Sequence, residues 1–482
     1  MKSRLKKVMG YISSEDWSVQ SNNIRTLHSL CWAGLRGDFT IVCREDLSEF
    51  SRLYNWKLSI KLAHIMEEDF LMGVHGTRND DDLWMKVQRA RLMVEPPDAD
   101  ADDEAEAALL RQMDHDYRAF KNERGLIDFT GMVEEGIKRR IVPEGIEEIF
   151  VDEAQDMNKL FYEYHLMLYE TLGEEVNVTW MGDEDQAIYA FMGADPRIFV
   201  DHPAKEVIYG ELSRRMTAKV AREAEAYISA NTWRYPKKIR SEKQGGYESY
   251  HSWGIDGVLG ELKAIARGKV LWLALTNNQI EEIRDDLIKR GEPVITSEGE
   301  KASRRLIETL EADKGKLKLA DLKNLTTAVL AGRKVVPYKR KYFTEPYKFA
   351  KEMEEWTAKG SIVGGGLARD DERFSPLLQN ILMTKEWERL LDDDQRLIAS
   401  TLIQAEAKEY EIELTTFHKA KGREAHTVVI CKDVGGKILK GVLADEEMGR
   451  RLGFVAMTRA LENNIYYRQN AGNTQDFWKV TR

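Results

Sequence analysis

Two carboxylates, Asp152 and Glu153, directly follow the apolar run Ile149-Phe150-Val151. Adjacent acids at a strand tip suit two jobs. One holds Mg²⁺, usually through water, and the other orients and deprotonates an attacking water. Asp183 follows a second apolar run, 31 residues after Asp152, with Gln186 close behind. A glutamine in that place can sense a γ-phosphate through its amide. Taken singly, each of these is also what an exposed turn shows.

The surrounding pattern says what must position them. EEIFVDEAQD reads as a buried strand ending in acids, and EVNVTWMGDEDQ as a second. Between them, Leu160, Tyr164, Met167, Leu168 and Leu172 fall on one helical face, with Gly173 as the C-cap. Strand, helix, strand implies a parallel βαβ unit. In such sheets ligands bind at the carboxyl ends of the strands, where both acidic clusters fall. A second α/β region begins with the strand KVLWLALTNN (269–278) and the helix QIEEIRDDLIKRG, and continues with strands at TVVI (427–430) and NIYY (464–467). Residues 44–95 and 109–140 read mainly as helix, the latter broken near Gly125, and residues 298–400 as charged helix. The acid-rich stretch 96–107 reads as a solvated linker or a helix start. Trp180 and Trp272, inside apolar runs, read as core.

Composition bounds the class. At 482 residues, 43% hydrophobic and 32% charged, the chain has material for about three domains with real cores. A net charge of −10 excludes a small basic DNA-binding module as a description of the whole, though not a local basic groove. Cys31, Cys43 and Cys431 lie too far apart for a metal knuckle, which favours a reduced, intracellular setting. No apolar run approaches the roughly 20 residues of a membrane helix. The basic start MKSRLKK has no apolar core behind it, so no secretory leader is expected.

Four blocks occur in order: VDEAQD (151–156), MGDEDQAIYAFMGAD (181–195), LTTFHKAKGREAHTVVI (414–430) and LGFVAMTRA (452–460). Together with RTLHSL (25–30), GLIDFTGMV (125–133) and LALTNNQIEEIRDDL (273–287), they resemble the UvrD/Rep/PcrA-like superfamily 1 DNA helicases. The resemblance implies ATP and Mg²⁺ as the nucleotide and its metal, and single-stranded DNA or DNA junctions as partners. It implies that Asp152 is the Mg²⁺-binding acid, Glu153 the general base and Gln186 the contact to the γ-phosphate and attacking water. Arg215 and Arg459 match two arginines that reach the γ-phosphate, where guanidinium groups offset transition-state charge. Gly422 and Glu424 match a loop near the nucleotide, with Glu424 on the ribose. Tyr189 and Phe191 match aromatics along the single-strand track, where stacking tolerates any sequence. Thr26, His28, Thr416 and His418 match positions near the DNA backbone or bridging the DNA and nucleotide sites. His28 and Phe191 also suit a core, and Arg215 a helix surface.

The family carries a phosphate loop, G-x-x-x-x-G-K-[ST], whose backbone N–H groups cradle phosphates. The Gly-Lys pairs here, at 268–269, 315–316 and 436–437, lack that context. MKSRLKKVMG reads as the helix, and IRTLHSL as the strand and block, that come after such a loop in the family. The chain is therefore expected to begin inside a first motor domain, as part of a split or truncated helicase, with the loop supplied by a separate polypeptide in the split case. Two departures weaken the adenine site. Arg214 stands where the family has a stacking tyrosine, and Thr130-Gly131 replaces an acidic continuation.

The expected fold is α/β, with two RecA-like parallel-sheet motor domains, the first N-terminally incomplete, and helical insertions. The first domain is expected to comprise residues 1–34 and 124–205, with an insertion at 35–123. The second is expected to comprise 206–298 and 400–482, with a reduced insertion at 299–399. The expected function is an ATP-dependent DNA translocase or helicase of 3′-to-5′ polarity, cytoplasmic and nucleoid-associated, with no membrane partner. As a lone chain it should hydrolyse ATP poorly. The alternative is a non-hydrolysing single-stranded-DNA-binding subunit.

Overall fold

The structure is a computed structural model. It describes residues 25–58, 80–143, 145–146, 148–173, 176–251, 254–292, 294–295, 316–317, 367–368, 410–469 and 474–481. The chain divides into two compact units. Unit 1 comprises Met1–Gly210, Ala230–Lys237 and Glu447–Leu452. Unit 2 comprises Glu211–Ser229, Lys238–Glu446 and Gly453–Arg482.

In unit 1, β3 (Glu148–Val151) and β4 (Asn177–Trp180) pair in parallel and are joined by α6 (Lys159–Leu172). The βαβ reading holds, because α6 buries Leu160, Tyr164, Met167 and Leu168 on one face and ends at Gly173, φ 81°. That face packs with Cys31 and Leu35 of α1 (Leu27–Leu35) and with Met132 and Val133 of α5 (Phe129–Lys138). The expected strand in IRTLHSL is not formed over its described part. Thr26 caps a helix instead, its hydroxyl accepting the Ser29 N–H at 3.2 Å, as an N-cap threonine favours.

A second core joins α2 (Arg44–Leu53), α3 (Asp81–Met93) and α4 (Glu104–Arg124) through Phe50, Trp84, Val87, Leu110, Met113, Tyr117 and Phe120. The acid-rich stretch is a helix start: Asp103 caps α4 by accepting the Glu106 N–H at 2.8 Å. Its acids also pair with Lys86, Arg89 and Arg111. Gly125, φ 61°, ends α4. The two cores are joined by a buried ion group. Asp128 accepts from Arg91 at 2.7 Å and Lys121 at 2.8 Å, and Glu134 from Arg91 at 2.8 Å. Asp128 also caps α5 through the Gly131 N–H at 2.6 Å. A Cβ on residue 131 would lie 2.8 Å from that carboxylate, which accounts for the glycine at this departure from the family pattern.

Unit 2 is built on a six-stranded, wholly parallel sheet. Its order is β5 (Tyr247–His251), β13 (Ala460–Tyr467), β11 (Ala425–Cys431), β6 (Gly268–Ala274), β10 (Tyr410–Thr416), β7 (Val294–Ile295). β6 is buried from Val270 to Ala274, the continuous apolar run of a strand covered on both faces. Val270, Trp272 and Ala274 meet α9 (Gly254–Ile265) and α10 (Asn277–Lys289) in one core. Trp272 lies there fully buried, and its indole N–H donates to the Tyr467 hydroxyl at 2.9 Å. On the remaining periphery, β12 (Asp433–Val434) pairs antiparallel with β14 (Gln475–Asp476). The helical reading of residues 298–400 lies outside the described residues, apart from an antiparallel contact between β8 (Lys316–Leu317) and β9 (Leu367–Ala368).

Candidate functional site

Both acidic clusters of unit 1 lie just past the carboxyl ends of adjacent parallel strands. The ladder runs on beyond β3 and β4: the Met181 N–H donates to the Val151 carbonyl at 2.8 Å, and the Ala154 N–H to the Met181 carbonyl at 2.9 Å. This holds the two tips side by side. Asp152 and Glu153 are both exposed. Glu153 has φ 55° and ψ 38°, in the left-handed region that non-glycine residues rarely adopt. Such strain at an exposed acid marks a position held by its surroundings.

Gln155 does much of the holding, a role that nothing in the sequence signals beyond its place in VDEAQD. It is fully buried. Its amide N–H donates to Glu153 Oε2 at 2.6 Å, and its amide oxygen accepts the Asp183 N–H at 2.9 Å. One side chain thus ties the first tip to the second. Gly182 makes room for it, since a Cβ there would sit 2.5 Å from Gln155 Oε1.

Asp183 is the node of the second tip. Its Oδ2 accepts the Gln186 amide at 2.6 Å, and its Oδ1 accepts Lys237 Nζ at 2.6 Å. Burial works against the charge on Asp183, but Lys237 and these hydrogen bonds hold its carboxyl below the ordinary value. Asp185 is buried beside it and shifted up by that burial, against the pull of Arg234. The partners of this acidic loop come from two segments distant in sequence but within the same unit, 230–237 and 447–452. Arg234 bonds Asp185 at 2.7 Å, Lys237 also bonds Glu184 at 2.6 Å, and Arg451 donates to the Glu184 carbonyl at 3.1 Å. No sequence periodicity announces these contacts.

The other expected residues of unit 1 are placed less pointedly. Tyr189 is half-buried and starts the 3-10 turn Ala190–Met192, which carries the Phe191 backbone. The Phe191 side chain lies outside the described residues. His28 is half-buried between the edges of Phe129 and Phe161, each 5.4 Å away. Burial lowers its pKa, so the neutral imidazole is favoured. Thr26 is exposed but is spent as a helix cap.

In unit 2, Arg215 Nε pairs with Glu424 Oε2 at 3.2 Å, so two expected nucleotide contacts already meet. Gly422, at φ 76° and exposed, gives the intervening loop its left-handed turn. Arg459 is buried at 1% exposure. Its Nε donates to the Val455 carbonyl at 2.9 Å and its Nη1 to the Arg423 carbonyl at 3.4 Å. As placed, it braces the loop that carries Gly422 and Glu424. Thr416 is the last residue of β10 and His418 lies two residues past it; both are buried, and burial lowers the His418 pKa to about 4. Arg214 is exposed.

Residues 1–205 match the UvrD/REP helicase N-terminal domain family. Over these residues, less than half of its length, the chain is similar to that family. Among relatives, the putative ATP-dependent DNA helicase YjcD of Bacillus subtilis is 30% identical over 153 residues, covering 29% of this chain and 20% of that protein. The ATP-dependent DNA helicase PcrA of the same organism is 30% identical over 203 residues, covering 37% of this chain and 27% of PcrA. The ATP-dependent DNA helicase Rep of Salmonella typhimurium is 35% identical over 107 residues, covering 21% of this chain and 15% of Rep. The chain matches between about a sixth and about a quarter of the length of these relatives. Its mixed α/β architecture with parallel sheets agrees with RecA-like helicase domains.

Proposed function

We propose that this chain is the working part of an ATP-dependent DNA translocase or helicase. The observation that carries the reading is the cross-link at the strand tips of unit 1, where Gln155 fixes Glu153 against the loop of Asp183 and Gln186. An exposed carboxylate and an amide held side by side suit activation of water against a terminal phosphate. Asp152 would hold Mg²⁺. Among the described residues no group of three or more His, Cys, Asp or Glu is placed to bind a metal. Asp152 would hold the ion with water and phosphate completing its shell, as is common for Mg²⁺. When bound, it neutralises phosphate charge. Arg215 and Arg459 would offset the charge of the phosphoryl transition state, and Glu424 would meet the ribose. Arg215 must then leave Glu424, and Arg459 must give up carbonyl contacts.

Single-stranded DNA is the proposed partner, stacked on Tyr189 and Phe191, with Thr26, His28, Thr416 and His418 nearby. Movement from 3′ to 5′ rests on the resemblance. The domain limits given above are likewise proposed, with 230–237 and 447–452 acting as braces of the acidic loop. Among the described residues no helix is long and apolar enough to cross a membrane. The 482 residues hold no G-x-x-x-x-G-K-[ST] loop, and on this reading the chain alone hydrolyses ATP poorly.

The test is ATP hydrolysis with and without single-stranded DNA, by the chain alone and mixed with a fragment carrying a phosphate loop of the PcrA type. DNA-stimulated turnover that Glu153→Gln removes supports the reading. The burial of Arg459 and the Arg215–Glu424 pair favour a second reading, a DNA-binding subunit that does not hydrolyse. It predicts salt-sensitive binding of single strands, indifferent to nucleotide and to Glu153→Gln.

A further inference from the structure

The acidic loop of unit 1 poses an electrostatic problem. Three consecutive carboxylates, Asp183, Glu184 and Asp185, sit together, and Glu184 and Asp185 are buried at 1% and 0% exposure. Charges in such surroundings persist only when paired and hydrogen-bonded. Lys237 is the group that serves all three. Its Nζ lies 2.6 Å from Asp183 Oδ1, 2.6 Å from Glu184 Oε2 and 3.4 Å from Asp185 Oδ2. Arg234 forks onto Asp185 from the other side, Nε at 3.1 Å and Nη2 at 2.7 Å. The Tyr235 N–H takes the remaining Glu184 oxygen at 2.9 Å.

The division of labour on Asp183 gives Lys237 a further consequence. Lys237 and the Asp185 N–H both approach Oδ1, at 2.6 and 3.2 Å, while Oδ2 receives the Gln186 amide at 2.6 Å. The cation therefore fixes the carboxylate rotation that offers Oδ2 to Gln186. Without it, Asp183 would face the Glu184 carboxylate with no cation between them, Asp185 staying paired with Arg234, and would turn toward solvent. We infer that Lys237 is a positioning residue, which acts through Asp183 to set the side-chain amide of Gln186. This rests on the reading of Gln186 as the phosphate-sensing group, but the contact itself is measurable without nucleotide. The same juxtaposition makes Arg234 an auxiliary that keeps Asp185 from competing for Lys237.

The experiment uses the 482-residue chain labelled with ¹⁵N-glutamine. The Gln186 side-chain amide signal is identified by its disappearance in Gln186→Asn. In Lys237→Met the signal moves, and its exchange with water accelerates by about tenfold or more, the factor expected when a hydrogen bond to a charged group is lost. Lys237→Arg, which keeps the charge, recovers part of the protection. Asp183→Asn, with Lys237 intact, reproduces the effect and carries the test if Lys237→Met does not fold. A folded Lys237→Met or Asp183→Asn with an unmoved, protected Gln186 signal overturns the inference. In a hydrolysing mixture, Lys237→Met lowers kcat with little change in the KM for ATP, and adds no loss on a Gln186→Ala background. An additive loss there also overturns it. If the parent chain never hydrolyses ATP, the proposed function fails while the amide signal still decides the role of Lys237.

Discussion

Gln155→Glu replaces one oxygen-for-nitrogen site in a buried side chain and turns a bond into a repulsion. The shape is kept, and an oxygen still accepts the Asp183 N–H, now 2.9 Å away from the amide oxygen. The nitrogen that donates to Glu153 Oε2 at 2.6 Å becomes a carboxylate oxygen. Two unit charges 4 Å apart repel by about 4 kcal/mol at an effective dielectric near 20. Glu153 faces solvent, so screening brings the cost down to about 1–3 kcal/mol. The introduced acid is buried beside a like charge, so its folded pKa rises above the unfolded value of about 4.3. A raised folded pKa leaves stability intact below the unfolded pKa and removes it as pH climbs toward the folded one. The deficit in unfolding free energy should be near zero at about pH 4.5 and about 1–3 kcal/mol at about pH 8. Urea unfolding of the variant and the parent across that range measures it, followed by tryptophan fluorescence. A deficit that does not change with pH, or no deficit at about pH 8, would refute the contact between Gln155 and Glu153.

Other expectations follow from the same structure. Gly182→Ala places a methyl 2.5 Å from Gln155 Oε1 and 3.2 Å from Phe199 Cε1; it should cost about 1–3 kcal/mol in urea unfolding and lower any hydrolysis by displacing Gln155. Asp128→Asn should cost about 3–5 kcal/mol near neutral pH, because it leaves buried Arg91 and Lys121 short of a counter-charge. Burial opposes the charge on Asp128, but Arg91 and Lys121 hold its carboxyl well below the usual range. Its contribution is therefore present above the unfolded pKa and lost as pH falls through the folded one, and acid unfolding of the variant should lack that step. Arg215→Ala removes a pair whose side chains are 34% and 43% exposed, so the melting temperature should barely move, with less than about 1 kcal/mol at stake. DNA-stimulated hydrolysis should nonetheless fall by about 10²-fold or more.

The strand tips were legible in the sequence because two apolar runs end in acids with a helical period between them. Gly125 and Gly173 likewise announced helix ends, which they form at φ 61° and 81°. Other features left no such trace. β5 reads YESYH, a polar alternation at the edge of the sheet, and β7 is two residues long. The expected strand in IRTLHSL gives way to α1, whose apolar residues Leu27, Leu30, Cys31 and Leu35 fall at helical spacing behind the Thr26 cap. Lys237 and Arg234 reach Asp183 and Asp185 from about fifty positions away, a pairing that no local pattern encodes. Burial of Arg459, Thr416 and His418 depends on packing across unit 2, so MTRA and TTFHKA gave their identity without their surroundings.

The most direct test of the central claim is DNA-stimulated ATP turnover by this chain with a phosphate-loop fragment supplied, measured beside Glu153→Gln. Turnover that needs both DNA and the Glu153 carboxylate is the predicted result. Turnover that survives Glu153→Gln, or DNA binding that never responds to nucleotide, would contradict it.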